Sequence, residues 1–153
     1  FYTGVLSKFR TLCGTPELPI GASTVITIGP GVSVPDAPDA RGTTAVGTPV
    51  TQVACPANQV VVGIRGDTLA KDFPPARDLA AYLQIVCAPL SYVNGSVTIG
   101  TPAPAGGVGT PSGASVGPFD CEPGKVAAGL RVHAGDILDG VMVRCEPADV
   151  IVP

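Results

Sequence analysis

The stretch CPANQVVVGIR starts at Cys55 and returns sixty-six residues later as CEPGKVAAGLR, which starts at Cys121. Both read as cysteine, two spacers, a small or turn-forming residue, a long polar side chain, Val, two small apolar residues, Gly, Ile or Leu, and Arg. Self-similarity of this kind constrains the fold before any single residue does, because copies of one unit take one structure. Each copy closes on a second cysteine at the end of an apolar run: AYLQIVCAPL closes at Cys87 and GVMVRCEPAD at Cys145. A Pro and a Val/Thr/Ile strand come next, and STVITIGPG (Ser23–Gly31) corresponds to GSVTIGTP (Gly95–Pro102). A connection rich in Gly, Pro, Ala and Thr then leads to the next opening cysteine. One unit is therefore a strand, a small-residue loop, a Cys-headed strand, a turn and a Cys-ended strand.

The correspondence extends towards both ends. VLSKFRTLC (Val5–Cys13) lines up with ILDGVMVRC (Ile137–Cys145), and DVIVP (Asp149–Pro153) resembles the start of another copy. The expected organisation is the tail of an incomplete repeat at 1–13, a first β-module at 14–88, a second at 89–147 and the start of a further incomplete repeat at 148–153. With Phe1 in first place and no charged-then-apolar leader, the chain reads as a processed or excised piece of a longer product. The first copy carries about eight extra residues, DTLAKDFPPARD (Asp67–Asp78) against VHAGD. They are placed in a turn, where insertions cost little.

Twenty glycines and seventeen prolines punctuate runs rich in Val, Ile and Thr. Strands separated by turns give that pattern, and long helices do not survive it. ARDLAAYLQIV (Ala76–Val86) has good helix propensity. Its counterpart GDILDGVMV reads as a strand, so Ala81–Cys87 is assigned as a strand, with a helical turn allowed only inside the insertion. The fold class expected is all-β: short antiparallel strands in two similar disulfide-clamped modules, β-sandwich or β-prism-like, with Gly/Pro-rich loops. Charged residues make up 14% of the chain, against a usual share of about a quarter. With a net charge of −3 and three lysines there is no electrostatic footprint for nucleic acid. No apolar run reaches the roughly 20 residues of a membrane helix. The apolar 45% must therefore enter a core or an assembly interface.

Four of the five cysteines pair within the repeat, Cys55 with Cys87 and Cys121 with Cys145. Each pair joins the first and last strands of a unit's hairpin. The chain lacks C-x-x-C and has one histidine, so zinc is a poor reading and no metal or cofactor is expected. Disulfides imply an oxidising compartment and hence a secreted or cell-surface protein. Cys13 is left over, either free or bonded outside this chain.

The remaining chemistry-bearing residues are few. His133 lies in the apparent turn RVHAGD near Asp136 and Asp139, with no nucleophile motif around it and no histidine at the matching turn of the first copy. The two aspartates are three apart, too sparse for a calcium loop, and turn capping accounts for them. Arg65, Gly66 and Asp67 spell the integrin-binding tripeptide, where the structural reading is a turn that ends the strand QVVVGIR. Asn94-Gly95-Ser96 has the form of a glycosylation sequon, but Asn-Gly is also a hairpin-turn signal and that suffices. TPAPAGGVGTPSGASVGP (Thr101–Pro118) lacks the lysine of a phosphate loop and reads as a flexible or extended connector.

The cadence C-P-x-x-Q-V-V-x-G-I followed by A-G-D-x-x-D-x-V-x-V-x-C resembles cysteine-framed repeats of large secreted or surface proteins of myxobacteria and similar bacteria. It also echoes jacalin-like lectins, with Gly129, Gly135 and Asp139 in the matching positions. The resemblance covers Ala54–Pro89 and Asp120–Pro147. It implies a β-prism of three sheets related by a pseudo-threefold axis, and a glycan as partner. The chain departs from the lectins in having no Trp and no sugar loop of Gly and an aromatic followed by Asp.

Three functions stand against one another. The first is a non-enzymatic structural or adhesive protein that self-associates into a filament or surface layer through terminal strands. The second is a carbohydrate-binding module that depends on Asp136 or Asp139; Arg65, Gly66, Asp67 and His133 with those two aspartates are the candidate ligand turns. The third, a secreted hydrolase built on His133 and an aspartate, is the weakest, since no constellation that would run an enzyme is visible.

Overall fold

The computed structural model describes residues 8–9, 12–14, 16–17, 25–28, 32–33, 41–42, 52–71, 77–134 and 138–148. Six two-residue strands come first: β1 (Lys8–Phe9), β2 (Leu12–Cys13), β3 (Pro16–Glu17), β4 (Thr27–Ile28), β5 (Val32–Ser33) and β6 (Arg41–Gly42). Seven longer ones follow: β7 (Gln59–Lys71), β8 (Arg77–Val93), β9 (Ser96–Ile99), β10 (Ala103–Gly109), β11 (Ser115–Asp120), β12 (Lys125–Ala134) and β13 (Leu138–Pro147). The fold is all-β, every ladder is antiparallel, and no helix occurs among the described residues.

The two cysteine-framed stretches form two hairpins, β7–β8 and β12–β13, built to one register. Val61 stands opposite Cys87, and Ala127 stands opposite Cys145. In each, the next residue of the leading strand, Val62 or Ala128, has no partner in the ladder, which resumes at Gly63 opposite Val86 and at Gly129 opposite Arg144. A bulge of this kind twists the strand at a set place. The entry turns also match. Gln59 N–H donates to Pro56 O and Lys125 N–H to Glu122 O, at 3.2 and 3.0 Å. The third residue of each turn, Asn58 or Gly124, has positive φ (61° and 83°). Type II turns require such a residue there and favour Asn or Gly for it.

Around β7–β8 a five-stranded sheet is complete on both sides. β11 pairs with β7, while β10 and β9 pair with successive parts of β8. Asn94 and Gly95 join β8 to β9 with φ of 51° and 82°, the two left-handed residues of a type I′ hairpin. The short N-terminal ladders repeat part of this pattern. Cys13 stands opposite Val32 and Pro16 opposite Ile28, as Cys87 stands opposite Ala103 and Leu90 opposite Ile99.

The strand assignment for Ala81–Cys87 holds, despite its helical propensity. Leu79, Ala81, Leu83, Ile85 and Cys87 are all buried, and the residues between Leu79 and Ile85 are half-buried, a period of two rather than 3.6. Further along, Val86, Ala88 and Leu90 are buried as well, because β8 is a central strand covered on both faces. The insertion does not sit in a turn. Its ends continue the ladder, Thr68 opposite Ala80 to Lys71 opposite Arg77, so the extra residues lengthen the hairpin. Of the insertion in which a helical turn is allowed, 67–71 and 77–78 are strand, and 72–76 lie outside the described residues. Nor does Arg65–Asp67 end a strand: all three residues are inside β7.

The two hairpins pack through equivalent faces. Ile64, Leu83, Ile85 and Cys87 form a buried cluster, and Leu130, Val141 and Val143 of the second hairpin pack against it. Arg131, Met142 and Arg144 alternate with those residues along β12 and β13 and are exposed. The opposite face of the first hairpin buries Val62, Val86 and Ala88 beneath Val60, Ile99 and Val126.

Truncating this layer is expected to be costly where it is deepest. Ile64→Ala removes a side chain that is 1% exposed, and should lower unfolding free energy by about 2 to 5 kcal/mol in urea titrations. Its counterpart Leu130→Ala, half-buried, should lower it by less.

Candidate functional site: strand edges and the Asp67 clasp

Two disulfides hold the hairpin bases, Cys55–Cys87 with Cα atoms 5.7 Å apart and Cys121–Cys145 with Cα atoms 5.6 Å apart. They tie the residue before each entry turn to the last strand of the unit. Closing loops with sequence separations of 32 and 24 residues contributes roughly 3 to 4 kcal/mol each by restricting the unfolded chain. No helix among the described residues is long and apolar enough to cross a membrane.

The stretch read as a connector instead supplies both outer strands of the first sheet. Ala103–Gly109 runs along β8 as β10, and Ser115–Asp120 runs along β7 as β11. The link between them is fastened by Asp67. Its Oδ2 accepts from Ser112 N–H at 2.9 Å and Gly113 N–H at 3.2 Å, and its Oδ1 accepts from the Ser115 hydroxyl at 3.1 Å. Ser112 Oγ donates to Thr68 O at 2.6 Å, and Thr68 N–H donates to Ala114 O at 2.9 Å. A buried carboxylate is tolerated only when so bonded. The Gly113 N–H holds its carboxyl below the usual range, opposed by burial and assisted by Ser112 and Ser115.

Asp67 is therefore occupied inside the fold and not offered at a loop tip with Arg65, whose side chain is exposed on β7. His133 occupies the place of Asp67 in the second copy; it is on β12 rather than in a turn, and it is exposed. Asp136 lies outside the described residues. The backbone of Asp139 belongs to β13 and that of Cys13 to β2, while the side chains of both lie outside what is described. Among the described residues no group of His, Cys, Asp and Glu is placed to hold a metal ion.

The edges of the two hairpins differ most. On the first, β11 lies close enough that a Cβ at Gly63 would overlap the Asp120 carboxylate and stand 3.1 Å from the Asp120 Cα. A side chain there would displace the Asp120 carboxylate and press on the β11 backbone. On the second, a Cβ at Gly129 would meet nothing within 4 Å among the described residues. There, among the described residues, β12 and β13 pair only with each other, as a two-stranded sheet. Such an unpaired row of N–H and C=O groups is a template for another strand. The recurrence of Gly at this place in both copies was the signal available in the sequence, and it carried no hint of what each glycine faces. No family model, no curated protein sequence and no solved structure matches this chain.

The clasp sets a pH dependence. Because folding lowers the Asp67 pKa, its contribution is present above the ordinary Asp range, about pH 4, and is lost as pH falls through the lowered value. Asp67→Asn should reduce the melting temperature at pH 7, and the gap to the parent chain should narrow as pH falls below about 4. A gap that stays constant from pH 7 to pH 2 in calorimetry would contradict this account.

Proposed function

We propose that this chain is a non-enzymatic structural or adhesive protein of an extracellular or cell-surface setting, which assembles with further copies of itself by strand addition. The observation that carries the reading is the contrast between the hairpins. β7–β8 has hydrogen-bonded strands on both flanks, whereas β12–β13, of the same register, has no hydrogen-bonded neighbour among the described residues, although β6 lies near β12. The β12–β13 hairpin is held by its packing on the first core and by its disulfide, and the backbone groups left unpaired along its edge are a template that a partner strand would complete. The disulfides support an oxidising setting. The low charge of the chain, 14%, supports close packing of copies with little electrostatic repulsion.

Sedimentation and negative-stain electron microscopy across a range of concentrations test the reading. The expected result is mass that rises with concentration, elongated assemblies at neutral pH, and only weak dependence on salt. Dispersed monomers at every concentration would remove it.

A further inference from the structure

We infer that the outer edge of β12, centred on Gly129, receives the segment Gln52–Ala54 of a second copy of this chain. The inference rests on the assembly reading and specifies its contact.

The first hairpin shows what fills such an edge. The strand on β7 is the one that runs directly into the next opening cysteine: β11 ends at Asp120, opposite Gly63, and Cys121 N–H donates to Val62 O at 2.7 Å. β12 has the same receiving features, with Ala128 as the bulge residue in place of Val62 and Gly129 in place of Gly63. The backbone of Gly129 is outside the left-handed region, so its conformation does not demand glycine. At Gly63 the missing side chain makes room for Asp120. A Cβ at Gly129 would meet no described residue within 4 Å, although β6 (Arg41–Gly42) lies near β12.

The chain holds one other segment that leads into an opening cysteine, Gln52–Ala54 before Cys55, in the position that Pro118–Asp120 takes before Cys121. It pairs with no strand among the described residues. Gln52 and Ala54 are exposed, while Val53 is half-buried against the first core and keeps the segment on the surface of the molecule. Transferring the β11 register places Ala54 opposite Gly129, Val53 opposite Leu130, and the Cys55 N–H on the Ala128 carbonyl. The Ala54 methyl group needs less room than the Asp120 side chain that the first hairpin accepts. Donor and receiver are different surfaces, so the contact is head-to-tail and propagates into rings or open filaments.

Gly129→Val in the full chain is the direct test. With nothing near the Cβ position the variant should melt at the parent temperature, yet a side chain there blocks the incoming strand. The concentration for half-assembly, read by sedimentation, should rise at least tenfold. Parent-like assembly by the folded variant would overturn this contact and leave the broader reading standing, whereas a parent chain that never assembles would overturn both. Should Gly129→Val fail to fold, cross-linking decides. Chains carrying Ala54→Cys and Gly129→Cys separately, each with Cys13→Ser, are mixed and oxidised. Disulfide-linked dimers in clear excess over either chain alone are expected. An assembling mixture without that excess rejects the contact.

Discussion

One layer of aliphatic side chains, Ile64, Leu83 and Ile85 against Leu130, Val141 and Val143, joins the two hairpins, and the rest of the architecture is arranged around it. Fully burying a side chain of this size is worth about 1.5 to 3 kcal/mol, so the layer outweighs any single polar contact in the molecule. Equivalent faces meet because both strands of each unit keep their period of two up to the bulge and resume it afterwards in matching register. The disulfides act at the edge of this layer. Cys87 is part of the buried cluster and Cys55 packs against it, so the covalent tie and the apolar contact reinforce the same register.

The strands that surround the layer are of another kind. β10 and β11 are mostly Gly, Ala, Pro, Ser and Val, with few side chains to bury. They are held by backbone ladders, by the Gln84 amide donating to the Ala105 carbonyl of β10, and by the Asp67 carboxylate at the link into β11. Such strands are well suited to edges, where close backbone approach matters more than side-chain packing. The exposed ion pairs, Lys125 with Glu122 and Arg144 with Glu146, are of the sort that contributes about 1 kcal/mol or less. Where the Asp67 position carries His133, in the second copy, no comparable link exists among the described residues, and within them one hairpin has hydrogen-bonded outer strands and the other has none. That inequality gives the assembly reading its direction.

Much was legible in residue order. The cysteine partners followed from the repeat, the Asn94-Gly95 turn from its left-handed residues, and the strand at Ala81–Cys87 from its counterpart in the other copy. Four features were not. The insertion lengthens β7 and β8, because Leu69 and Leu79 pair across the hairpin where residue order alone suggested a loop. The Arg65–Asp67 tripeptide lies in mid-strand for the same reason. The Gly/Pro-rich stretch became two strands without any alternation to announce them, since glycine and alanine carry too little side chain to write a period of two. Asp67, Ser112 and Ser115 gave no motif, as their partners are 45 or more residues apart and meet only once both edge strands are in place.

By itself the sequence determined local matters: the Asn94-Gly95 turn, the cysteine pairs and the strand character of Ala81–Cys87. These depend on residues within one hairpin, where backbone preference and side-chain period act directly. Which edge is filled, which glycine lies under a neighbouring strand and which aspartate is buried were settled only in three dimensions. Backbone N–H and C=O groups are the same in every residue but proline, so residue identity does not record which strand pairs with which. Gly63 and Gly129 are identical in the repeat, and only the presence of Asp120 over one of them tells them apart.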